Sequence, residues 1–153
     1  MSSVKTLVGY NRNHFLNSTS KVDTLGTSLV SATGDILVMP AGWSIIEMQV
    51  KKASTVDLGG SANDIIIYLL EETTQFPVLT VSKNDLNNEP HLVLARAKDS
   101  PINLAAFNDR FIMIKTDTGD IGDDAINGPS VKVIIKIARD SDEPVQTQTV
   151  IPF

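Results

Sequence analysis

The chain has 153 residues, of which 42% are hydrophobic and 20% charged, and carries a formal charge of −5. That length suffices for one domain with a real core, and the acidic balance argues against a nucleic-acid-binding surface, which needs a basic stripe. There is no cysteine, so disulfides, thiolate zinc sites and cysteine nucleophiles are excluded.

The opening Met1-Ser2-Ser3-Val4-Lys5 lacks an apolar run of the length a signal peptide requires. Residues 1–33 read as an N-terminal arm or first strand, partly extended. Positions 11–33 are rich in Asn, Ser and Thr, with isolated apolar anchors at Phe15, Leu16, Leu25, Leu29 and Val30. Residues 34–140 read as a β-sandwich domain. Ile36–Met39 forms a short strand, broken by Pro40-Ala41-Gly42. Ile46, Met48 and Val50 then alternate with Glu47, Gln49 and Lys51, which predicts a strand with those three apolar side chains turned inward. After a loop at Gly59-Gly60-Ser61, Ile65–Leu70 is apolar on both faces. It is the longest apolar stretch and far too short to span a bilayer as a helix.

Val78–Val81 and Leu92–Ala95 predict further strands, with Asn84–Asn88 between them as a loop. Ser100–Phe107 is the one expected helix, with Ser100 as its cap and Pro101 in the first turn. Phe111–Ile114 is a strand apolar on both faces. Residues 117–129 hold three glycines and four aspartates and read as an acidic loop. Val131, Val133, Ile135 and Ile137 repeat with period two and point inward. Residues 141–153 form a C-terminal tail or an added strand, with Thr-rich alternation ending in Val150 and Phe153. The expected fold is all-β: an antiparallel β-sandwich or jelly roll of about eight strands with extended N- and C-terminal segments.

Few motifs carry chemistry. Asp117-Thr118-Gly119 is the tripeptide of aspartic proteases, but Lys115-Thr116 stand where apolar strand residues belong and Asp120 follows where a small residue belongs. Asp117, Asp120, Asp123 and Asp124 are weak calcium candidates through their carboxylate oxygens, although no glutamate completes an EF-hand register. His14 and His91 are the only histidines and lie far apart, which disfavours a cupin metal centre. Trp43 reads as an aromatic that closes one end of the core at a strand start. The expectation is a protein that is not an enzyme and needs no cofactor.

The run Ile36-Leu37-Val38-Met39-Pro40-Ala41-Gly42-Trp43-Ser44-Ile45-Ile46, within the stretch Gly34–Leu70, resembles β-sandwich and jelly-roll structural proteins of tailed bacteriophages, especially head decoration (cement) proteins. The resemblance covers about a quarter of the chain. It implies a trimer on the capsid with terminal arms clasping neighbours, and it carries over no catalytic residue.

Strands apolar on both faces need a second covering surface. The expected coverings are the arms or another subunit, with Phe15, Leu16, Leu25, Leu29, Ile66, Tyr68, Leu70, Val150 and Phe153 as interface candidates. The expected function is a virion structural protein, made in the host cytoplasm, that sits on the capsid surface with the major capsid protein as partner. A homotrimer is expected, with no nucleic-acid or membrane partner. The alternative is a tail-fibre or carbohydrate-binding β-sandwich module.

Overall fold

The structure, a computed structural model, describes residues 4–11, 22–53, 57–89, 91–95, 108–122 and 130–139. Period-two runs of Val, Ile, Leu and Thr form its strands: β1 (Val4–Tyr10), β2 (Thr27–Ser28), β3 (Val38–Met39), β4 (Trp43–Lys52), β5 (Asp64–Glu71), β6 (Thr74–Ser82), β7 (His91–Ala95), β8 (Arg110–Thr116) and β9 (Val131–Arg139). One sheet runs β1-β9-β4-β7. The other runs β2-β8-β5-β6, with β3 also pairing with β8. All these pairings are antiparallel. Apart from the β5–β6 hairpin and the β2–β3 excursion, each successive strand lies in the opposite sheet. This is the winding of a jelly roll, one of the two all-β architectures expected.

The core lies between the sheets. The first contributes Ile45, Met48, Val50, Val131, Val133, Ile135 and Ile137. The second contributes Leu29, Leu37, Met39, Ile65, Ile67, Leu69, Ile112 and Ile114. Each such side chain taken out of water stabilises the fold by about 1.5–3 kcal/mol.

One inward residue differs from the periodic reading. Ile45, not Ile46, is fully buried, and Ile46 is half-buried. The register between β4 and β9 shifts between Ile45 and Glu47, with Ile45 opposite Ile137 and Met48 opposite Ile135. Ile46 is thus the extra residue of a bulge, and an inserted residue reverses the side-chain alternation beyond it.

A helix also replaces the loop expected at Asn84–Asn88. Helix α1 (Lys83–Asn88) starts at Ser82, whose hydroxyl accepts the Asp85 N–H, and buries Leu86 completely. Ser82 followed three residues later by Asp85 is a capping signal that the asparagines obscure. The helix expected over Ser100–Phe107 lies outside the described residues.

Three local devices hold the ends of the sandwich. Pro40-Ala41-Gly42-Trp43 is a tight turn closed by the Trp43 N–H to the Pro40 carbonyl (3.3 Å), with Gly42 at φ +86°, where a type II turn favours glycine. It delivers Trp43, which is 8% exposed, to the start of β4. Asn11 is buried, and its carboxamide oxygen accepts the N–H groups of Ser130 (2.9 Å) and Val131 (3.0 Å). The Val30–Ile36 excursion bridges the sheets: Tyr10 and Val30 exchange N–H···O bonds of 2.7 and 2.9 Å, and Val30 in turn bridges Ile36.

Candidate interaction surface

The acidic loop is built by backbone contacts. Asp117 directly follows β8, and its Oδ1 accepts the N–H groups of Asn63 (3.1 Å) and Asp64 (3.0 Å). Its own N–H donates to the Asp64 carbonyl at 3.2 Å. These backbone donors, the Asp64 N–H first, hold the Asp117 carboxyl below its ordinary value. The Asp120 carboxylate accepts the Gly122 N–H (2.7 Å), and its carbonyl accepts the Ala62 N–H (2.9 Å). Asp117 and Asp120 are thus engaged in joining this loop to the Gly59–Asp64 segment. Asp123 and Asp124 lie outside the described residues. Among the described residues, no three His, Cys, Asp or Glu side chains cluster in a way that would hold a metal ion. No helix among them is long and apolar enough to cross a membrane. His91 is exposed and pairs with Gln49 across β4 and β7.

The strongest surface feature is the outer face of the second sheet. On β5, Ile65, Ile67 and Leu69 face the core, so Ile66, Tyr68 and Leu70 face outward. On β8 the outward residues are Phe111, Met113 and Lys115, paired with Leu70, Tyr68 and Ile66 in that order. Val38 of β3 stands opposite Phe111. Phe111 is 46% exposed and Ile36, just before β3, is 56% exposed. Ile66, Leu70, Met113 and Val38 are half-buried. The result is an apolar face on a rigid sheet.

Two of the interface candidates are not available to a partner. Leu29 is fully buried in the chain's own core. Tyr68 is 1% exposed, although it lies on the outer face. A Cβ built on Gly26 would stand 2.2 Å from its hydroxyl, and the Lys115 Nζ lies 4.9 Å from its ring centroid. Lys115 is held there by a 2.6 Å bond to Gln75. Burial pushes the Tyr68 hydroxyl above its ordinary pKa. The second cover over β5 is therefore supplied at Tyr68 by the chain itself, which alternation on one strand does not reveal. Ile66 and Leu70 remain at the surface, and Leu25 is 84% exposed. Phe15, Leu16, Val150 and Phe153 lie outside the described residues.

Beside the apolar face, Arg110 stacks on Phe76 at 3.9 Å and donates through Nε to Glu71 at 3.0 Å, while Asn108 holds the other Glu71 oxygen at 3.1 Å. These bonds, that of Arg110 foremost, hold the Glu71 carboxyl below its ordinary value.

The fold and this face define a jelly-roll protein with an apolar outer sheet surface. No family model matches the chain, and no curated protein matches it. Among solved structures, a chain of the cryoEM structure of Mud Crab Dicistrovirus is similar with 10% identity and a TM-score of 0.25, over 91% of this chain and 67% of that chain. Likeness of that degree carries no argument about function.

Proposed function

We propose that this chain is a virion structural protein that binds the outside of a bacteriophage capsid, with the major capsid protein as its partner, and bridges neighbouring capsid subunits. The observation that carries the reading is the outer face of the β8–β5 sheet, where Ile36 and Phe111 stand about half exposed beside Val38, Leu70 and Met113. Apolar side chains gathered on one rigid face serve a protein partner better than they serve water. The jelly-roll winding supports the reading as an architecture shared by viral capsid and lectin domains.

The test is co-sedimentation with purified capsids of the virus that encodes the chain. Ile36→Glu with Phe111→Glu is expected to abolish binding and leave the melting temperature within a few degrees, because both side chains are already partly solvated. Undiminished capsid binding by that double variant would overturn the proposal. Glycan binding without capsid binding would move the carbohydrate-binding reading ahead.

A further inference from the structure

Among the described residues, β1 is an edge strand whose outer hydrogen-bonding row meets no strand beyond Tyr10. In an antiparallel strand the N–H and C=O of one residue point to the same side, and those of the next residue to the other. Tyr10 exchanges both of its bonds with Val30, on the side away from β9. Val8, Thr6 and Val4 therefore aim their N–H and C=O groups to that same open side. The strand that begins this pairing stops at once. After Val30 the chain turns through Ser31–Asp35, closed by the Ser31 N–H to the Asp35 carbonyl (2.8 Å) and the Gly34 N–H to the Ser31 carbonyl (2.9 Å). Among the described residues, no strand pairs with the outer side of Val4, Thr6 and Val8.

Of the other edges, β6 carries Pro77 beside a register shift, β2 and β3 are two residues each, and β7, the far edge of the first sheet, has five residues against seven in β1. On β1 the one charge, Lys5, does not guard the edge, because its ammonium lies 4.7 Å from the Trp43 ring centroid. The neighbouring lysines of β9 are also engaged: Lys132 lies over the Tyr10 ring and Lys136 lies 3.9 Å from Glu47. Val4 is 57% exposed, Thr6 is exposed, and no carboxylate stands on the strand.

We infer that this edge pairs with the β1 of a second copy of the chain, antiparallel about a two-fold axis at Thr6. That register sets Thr6 against Thr6 of the second copy and Val4 against Val8 of the second copy. It uses every free group in the row, for about six N–H···O bonds in all. Lys5 then faces Leu7 of the second copy. A register centred on Lys5 would instead oppose two lysines and set Val8 against Ser2 of the second copy, outside the described residues. A register centred on Leu7 would need the side of Tyr10 that Val30 occupies. The four-stranded sheet thereby continues across the axis into its copy as an isologous dimer. The trimer expected from the sequence needs a different surface. This inference does not rest on capsid binding, which uses the other sheet.

The test uses the full-length chain in a concentration series, read by sedimentation velocity and by amide hydrogen exchange. The expected result is a monomer–dimer equilibrium in which the Val4, Thr6 and Val8 amides become protected as the dimer forms. The Leu7 and Gly9 amides, which face β9, stay protected throughout. Thr6→Pro removes an outward donor from each copy without touching the β1–β9 bonds, and is expected to weaken dimerisation about tenfold while the fold persists. A chain monomeric at every concentration overturns the inference. So does an oligomer of any order in which the three amides exchange as freely as in the monomer, or a folded Thr6→Pro chain that dimerises undiminished. Should Thr6→Pro fail to fold, the exchange pattern of the unaltered chain decides.

Discussion

Gly26 packs against Tyr68 so closely that no side chain fits between them: a Cβ on Gly26 would stand 2.2 Å from the hydroxyl oxygen and 3.3 Å from the ring carbon bearing it. Gly26 also has φ +87°, a conformation other residues adopt at a cost. Gly26→Ala is expected to destabilise the fold by about 2–3 kcal/mol, from backbone strain and overpacking together. Tyr68→Phe should return part of that loss, because it removes the nearest atom while leaving the strain. A double-mutant cycle read by urea denaturation checks this, and strict additivity of the two changes would refute the contact.

Asn11 and Val131 stand 120 positions apart in sequence, yet one carboxamide oxygen closes both the Ser130 and the Val131 N–H groups. Asn11→Ala leaves two buried donors without that acceptor. The expected cost is about 2–3 kcal/mol, with loss of exchange protection at those two amides. A change below about 0.5 kcal/mol would mean that water replaces the side chain.

The bulge in β4 makes two adjacent isoleucines unequal. Ile45→Ala is expected to cost about 2–5 kcal/mol, because it opens a cavity opposite Ile137. Ile46→Ala should cost less than half as much, since Ile46 is half-buried. Thermal melts of the two variants give the comparison, and the reverse order would restore the unbulged register.

Acid should loosen the Asp117 junction. The Asp117 carboxyl is held below its ordinary value in the folded chain by the backbone donors, so the folded state binds its proton more weakly than the unfolded state does. Its contribution is therefore present above the unfolded carboxyl value near 4 and is lost as pH falls through the lower folded value. Glu71, lowered chiefly by its bond from Arg110, acts in the same direction. Melting temperature is expected to fall with pH below about 4, and less steeply in Asp117→Asn. Equal slopes in the two proteins would show that the carboxylate does not sense folding.

Apolar runs located seven of the strands, from the Ile36–Met39 region to Val131–Ile137, some by period-two alternation and others, such as Ile65–Leu70 and Phe111–Ile114, as short runs apolar on both faces between turn residues. The turn before Trp43 was also marked, since Pro40 and Gly42 carry their backbone preferences with them. β1 lacks the strand signal, because its core-side positions are Lys5, Leu7 and Gly9 while Val4 and Val8 lie on the other face. Gly9 is explained only by tertiary packing, for a Cβ there would lie 2.5 Å from Leu37. Which of Ile45 and Ile46 turns inward depends on the β9 partner, which local sequence does not contain. Whether the outer face of β5 stays open depends on Gly26 and Lys115, brought over Tyr68 from distant parts of the chain. Local chemistry set where strands form and break, because backbone preference and side-chain alternation act over a few residues. Register, cover and the open edge of β1 were decided by pairings between segments far apart in sequence, whose free energy exists only once the two sheets have met.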